Sequence, residues 1–238
     1  MRRRFFVEQF DGQRAVVEGD IAHHLGVVLR AQVGQLYELS DGERVCLGRI
    51  ESVGRERVEF ALLEELPANE PKLRVTLLLS VVKFDSFEWA IEKATELGVT
   101  SIVPLAAERS EKGLLAAAEK RSERWRKLIL EAAQQSRRVR LPVLEPVTQP
   151  DSAFLIGKER LGIFLSERAN APALREVLED TTASDVILAI GPEGGWSDAE
   201  VELARAAGFR SASLGHLILR AETAVIAALA SLSYALEP

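Results

Sequence analysis

The sequence predicts an α/β protein in two parts: a small, mostly β domain over residues 1–68, then an α/β domain with a mostly parallel sheet over residues 72–238. Three observations predict it. The first 68 residues alternate apolar and polar in short runs broken by turn signals. A stretch with two prolines and little apolar content, "LPANEPK" (66–72), follows. Beyond it, apolar runs alternate with helix-period segments, the pattern of strands joined by helical crossovers.

In the first part, "RAVVEG" and "QLYELSDGERVCLGRIESVGRERVEFALLEE" read as strands with turns at "SDGE" and "VGRE". "DIAHHLGVVLR" is a candidate short helix, and the rest suits a small β-barrel. In the second part, "LRVTLLLSVV" is a buried strand. "DSFEWAIEKATELG" is a helix that Asp85 can cap, with Glu88 three residues on and Gly98 ending it. "SIVPLAA" is the next strand, and a long helix covers about 117–138. "RLGIFLS" and "DVILAIG" are further strands, each followed by a helical segment. Ser197 and Glu200 form a capping box for the second of these helices, and Gly208 closes it. "SASLG" is a last short strand, and Glu222 to Leu236 a last helix. That helix is apolar all round, so it needs a partner on more than one side, and another subunit is expected there.

Composition limits the function classes. Of 238 residues, 47% are hydrophobic and 28% charged, as in soluble globular proteins. The single cysteine, Cys46, excludes an internal disulfide and suits a reducing cytoplasm. "MRRRFFVEQF" is basic but has no apolar signal core after it, and "TAVIAALASLSYAL" is too short to span a bilayer of about 30 Å, so no membrane association is expected. The net charge is −6, yet residues 109–140 hold ten Lys/Arg against four Glu. An acidic protein with one basic segment can bind phosphate locally; a solvated helix face is the plain alternative. At helical spacing Lys120, Arg124, Lys127, Glu131, Gln134 and Arg138 share one stripe. Trp125, Leu128, Ile129, Ala132, Ala133 and Ser136 share the opposite, more apolar one. Arg137 and Arg138 at the helix end also suit the helix dipole.

Two glycine-bearing stretches carry chemistry. "GPEGGW" (191–196) ends a strand and opens a helix. It has neither the Gly-Lys-Ser/Thr of a phosphate loop nor the spacing of a dinucleotide fingerprint. Exposed backbone groups beside Gly194 and Gly195 suit a flat, mostly neutral group such as a nucleobase or ribose, while a tight strand-to-helix turn would use the same glycines. "LGHLILRAETAVIAAL" (214–229) places a glycine at a strand end, then an apolar loop, then Arg220 and Glu222 as its only charges. His23, His24 and His216 are scattered without metal-ligand spacing, so no metal is expected.

Together "EKATELGV" (92–99), "EAAQQSRR" (131–138), "IGPEGGWSDAE" and "LGHLILRAETA" closely resemble the uracil-N3 methyltransferases of small-subunit ribosomal RNA, in the SPOUT superfamily. "HHLGVVLR" resembles the matching segment of the first domain. The resemblance implies a PUA-like β-barrel, a SPOUT domain with a C-terminal trefoil knot, a homodimer, and S-adenosylmethionine as methyl donor. It implies a cofactor site built from Leu165, Ser166 and Glu167, from Ile190, Gly191, Pro192, Glu193, Gly194 and Gly195, and from Leu214, Gly215, Leu219, Arg220, Ala221, Thr223 and Ala224. The residues expected to contact RNA, the basic stripe among them, are Arg30, Lys83, Arg109, Lys120, Arg124, Lys127, Arg137 and Arg138. The chain departs from the pattern at His216-Leu217, where many relatives carry Pro-Arg, and at Phe84-Asp85-Ser86, where they often show Gly-Asp-Arg.

Uracil N3 is a poor nucleophile until its proton leaves, and that loss puts charge on the ring oxygens. Arg138 and Arg220 are candidates to stabilise this charge. Glu193 or Glu222 could take the proton, although Glu222 also suits a helix N-terminus. A SPOUT enzyme acting on transfer RNA or on a ribose hydroxyl, or a non-enzymatic RNA-binding assembly factor, would share some of these features.

Overall fold

A computed structural model describes residues 3–156, 160–168 and 170–237. The chain divides into two compact units: residues 1–70 with 133–141, and residues 71–132 with 142–238.

The first unit contains β1 (Arg4–Phe6), β2 (Phe10–Asp11), β3 (Arg14–Glu18), α1 (Gly19–His23) running into a π-helical turn (His24–Val28), β4 (Leu36–Ser40), β5 (Val45–Val53) and β6 (Arg57–Leu66). The strands form one mixed sheet in the order β1-β4-β5-β6-β3-β2, with β1 and β4 parallel and the other pairs antiparallel. Alternation puts one side chain in two inward: Val17, Leu39, Ile50, Val58 and Phe60 meet Phe5 and Leu25 in a closed core. The sequence places residues 133–141 in the second domain, but they are laced to this unit by side chains it could not pair in advance. The Ser40 hydroxyl donates to the Val139 carbonyl at 2.7 Å, and Arg140 Nε to the Gly42 carbonyl at 2.6 Å.

The second unit runs β7 (Arg74–Ser80), α2 (Phe84–Glu96), β8 (Ser101–Leu105), α3 (Lys112–Gln135), β9 (Val143–Leu144), α4 (Pro150–Leu155), β10 (Leu161–Leu165), α5 (Leu174–Leu178), β11 (Asp185–Ile190), α6 (Asp198–Ala206), β12 (Arg210–Ala212) and α7 (Ala221–Leu236). The C-terminal end of α3 passes into the first unit. The sheet order is β12-β10-β11-β7-β8-β9, and every pair is parallel. The continuous apolar strands are explained by a core on each face. Val75, Leu77 and Leu79 of β7, with Val186, Leu188 and Ile190 of β11, join Phe87, Trp125 and Val225 from the helices on one side. Their neighbours Leu78, Ile187 and Ala189 join Phe154, Trp196 and Ala204 on the other.

Two local expectations are corrected. The helix α2 starts at Phe84 with Lys83 at its N-cap, and no side chain caps it; Asp85 lies inside the first turn. The long helix is Lys112–Gln135, ending before Arg137, which takes a left-handed φ of 58°. The capping box of α6 forms as the sequence predicts, with Ser197 and Glu200 bonded reciprocally. Among the described residues, no helix is long and apolar enough to cross a membrane.

Candidate active site

The strands β10, β11 and β12 are neighbours, so the loops leaving their carboxyl ends converge. Together they enclose a cavity of about 530 Å³. Its walls are Leu165–Arg168 after β10, Ile190–Trp196 after β11, and Ala212–Ala221 with Ala224 after β12. Arg109, from the segment after β8, completes it. Three segments far apart in sequence meet here because parallel strands all point one way.

Each glycine of the β11 turn meets a different constraint. A Cβ on Gly191 would lie 2.9 Å from the Trp196 indole, so the ring occupies that space. That indole donates Nε1–H to the Leu165 carbonyl at 2.9 Å and stacks on Phe164 at 4.7 Å, tying the β10 and β11 loops together. A Cβ on Gly194 would lie 3.2 Å from Arg109 Cβ. Only Gly195 has a positive φ, 67°. The backbone therefore demands glycine at 195, the Trp196 ring fills the space beside 191, and the Arg109 stem crowds the space beside 194.

Of the residues named for the cofactor loops, all but Thr223 line the cavity. Thr223 is exposed on α7 and turned elsewhere. Arg220 holds the N-cap position of α7 and Glu193 lies in the β11 loop; both are exposed within the cavity wall. Glu222 is only 5% exposed, sits in the first turn of α7 and is not in the wall. Trp196, which ends the glycine turn, and the exposed Leu217 and Ile218 of the 214–229 stretch also line it, as does Arg168, which the sequence did not single out. His216 also joins the wall. The Arg168 guanidinium pairs with Asp198 at the start of α6.

The basic residues part company. Arg109 is in the cavity wall, and its Nη1 donates to the Gly194 carbonyl at 2.9 Å. Arg124 is held by Glu88 of α2: its Nε lies 2.8 Å from Oε1 and its Nη2 2.8 Å from Oε2. That hydrogen bond raises the Arg124 pKa above its usual range. Arg121 also reaches Glu88, at 3.1 Å, and lies over the Phe84 ring at 4.5 Å. Glu88, read from sequence as a cap residue, is instead a buried anion joining α2 to α3. Lys83, Lys120 and Lys127 are exposed, the last 4.0 Å from Glu123. In the first unit, Arg30 is exposed at a φ of 50°. There too, Arg4 Nη1 donates to the Arg137 carbonyl, and Arg137 lies 3.7 Å from Glu38. Arg138 is half-buried, and burial pushes its pKa down while Glu70 opposes the shift. No group of three or more metal-ligating side chains occurs among the described residues.

Residues 69–233 match the family model of the RNA methyltransferase domain. The chain is 39% identical over 220 residues to ribosomal RNA small subunit methyltransferase E of Synechocystis, covering 90% of this chain and 71% of that protein.

The chain belongs to the ribosomal RNA small subunit methyltransferase E family.

The family member from Aquifex aeolicus is 31% identical, with 93% of this chain and 95% of the relative covered. Among solved structures, the family member from Neisseria gonorrhoeae, bound to S-adenosyl methionine, superposes with a TM-score of 0.89 at 30% identity, over 99% of this chain and 98% of that one. A structure from Legionella pneumophila with bound cofactor SAM gives a TM-score of 0.90 at 31% identity, over 100% and 99%. By family, then, this is an RNA methyltransferase with an α/β fold built on one mixed and one parallel sheet.

Proposed function

We propose that this chain transfers a methyl group from S-adenosylmethionine to N3 of a uridine in small-subunit ribosomal RNA, in the cytoplasm. The cavity at the carboxyl ends of β10, β11 and β12 carries the reading. Its size lies in the range for a small-molecule site, roughly 300–1,000 Å³, and it presents backbone groups beside side-chain-free Gly194 and Gly195. Leu165, Ile190, Leu214 and Leu219 offer apolar faces to an adenine, and the backbone of 191–195 offers donors and acceptors to its edge. When bound, S-adenosylmethionine supplies an electrophilic methyl group.

The chain's own residues then have three tasks. The glycine turn and the β12 loop hold the donor so that the acceptor nitrogen can reach it in line. Arg220, a permanent cation in the wall, stabilises charge on the uracil oxygens once N3 loses its proton. Glu193, an exposed carboxylate in the wall, accepts that proton. Glu222 is buried in the first turn of α7, outside the wall. Arg137 and Arg138 serve RNA from the first unit, with Arg30 and the exposed lysines.

The reading extends to assembly. The first unit's mixed sheet is a PUA-like barrel and the chain after β10 threads a trefoil knot, as the sequence resemblance implies. A homodimer covers the exposed apolar side chains of α2 and α7, Trp89 at 48% and Tyr234 at 92% exposure. Tyr234→Glu should yield monomers in sedimentation, and an unaltered dimer would rule out this face.

The decisive assay is methyl transfer to small subunits from cells lacking the enzyme and to naked ribosomal RNA, read by nucleoside mass spectrometry. N3-methyluridine is the expected product. Methylated ribose, or product only with transfer RNA, would redirect the assignment to another RNA. Absence of both S-adenosylmethionine binding and transfer would leave an assembly factor.

A further inference from the structure

Sequence alone reads Arg109 as one cation in a basic segment, but in the structure it braces the glycine turn. Its Nη1 donates to the Gly194 carbonyl at 2.9 Å, and its stem packs where a Gly194 side chain would stand, with Cβ and Cδ at 3.2 and 3.5 Å from that position. The adjoining residue is fixed to the same turn. The Glu108 N–H donates to Glu200 Oε1 at 2.8 Å, and the Ser197 N–H donates to Glu200 Oε2 at 2.9 Å. Glu200 is 4% exposed, so this carboxylate bridge is shielded from water. The segment after β8 thus holds the β11 turn at two points, Gly194 and Ser197, and Trp196 anchors it to Leu165 at a third.

We infer that Arg109 is a positioning residue for the methyl donor's site: it holds the Gly194 backbone in the conformation that receives the donor. The inference rests on the assignment of the cavity to S-adenosylmethionine. A turn with glycine at 194 and 195 has many backbone states available. Apparent affinity scales with the fraction in the receiving state. A hydrogen bond to the Gly194 carbonyl raises that fraction.

Calorimetry of S-adenosylmethionine on the full-length wild type, Arg109→Ala and Arg109→Lys tests this, alongside the salt dependence of binding to a small-subunit ribosomal RNA fragment. Arg109→Ala should weaken S-adenosylmethionine about 3- to 10-fold, the scale of one lost hydrogen bond. KM for S-adenosylmethionine should rise with kcat at saturation unchanged, and the free protein should melt near wild type. Arg109→Lys, which keeps one donor on a flexible stem, should recover part of the loss. The RNA salt slope should stay as in wild type for Arg109→Ala. If wild type binds S-adenosylmethionine and Arg109→Ala binds it equally, the inference is wrong. It is equally overturned if kcat falls with KM unchanged, or if the salt slope drops by roughly 0.7–0.9, the mark of a lost phosphate contact. A wild type that binds no S-adenosylmethionine would instead sink the assignment of the cavity, and the inference with it.

Discussion

The glycine turn after β11 and the basic helix α3 are both conspicuous in the sequence, yet they differ in what tertiary contact does to them. On α3 the periodicity is local: Trp125 and Ile129 face the core, and the charges lie elsewhere. Contact then divides those charges, because Glu88 of α2 claims Arg121 and Arg124 and leaves Lys120 exposed. In the turn nothing is periodic. Three glycines that look alike are constrained by an indole, by an arginine stem and by a left-handed backbone. A pattern shows that a charge or a missing side chain matters; its neighbours show why.

Gly191→Val is the severest test of the turn. A β-branched side chain must displace Trp196, which also holds Leu165, so both the fold and the cavity are hit. Overpacking of this kind costs about 1–3 kcal/mol. Thermal unfolding should fall by several degrees and S-adenosylmethionine binding should vanish in calorimetry; a near-normal melting temperature would mean that the indole yields freely.

Gly195→Ala separates backbone from packing. No atom lies within 4 Å of its Cβ position, so only the positive φ resists. The expected loss is about 1 kcal/mol of stability, with affinity reduced only as far as the turn loosens. Loss of binding without loss of stability would show that ligand occupies the space beside this glycine.

On α3 the comparison is between two cations on one stripe. Lys120→Gln should lower the salt slope of RNA binding by roughly 0.7–0.9 and leave the melting temperature alone. Arg124→Gln should do the reverse, because it breaks the bidentate link to Glu88. Equal salt slopes for wild type and Lys120→Gln would reduce the stripe to a solvated face.

The smallest effect is expected at Thr223, which follows the cavity wall in sequence but not in space. Thr223→Ala should bind S-adenosylmethionine as wild type does. A tenfold loss would place this side chain in the site after all.

The family resemblance named the loops that form the cavity, whereas the residue pattern alone established the alternation of strands and helices, the parallel sheet and the capping box at Ser197 and Glu200. These depend on short-range rules: side-chain period, caps, and the common direction of parallel strands. That Arg109 faces the Gly194 carbonyl across 85 positions, that Glu88 binds α3 rather than capping α2, and that residues 133–141 join the first unit became visible only in the folded chain. Long-range pairing of that sort has no local signature. An arginine suits a phosphate, a carboxylate or a carbonyl equally well, and which acceptor it meets depends on where the rest of the chain brings one within about 3 Å.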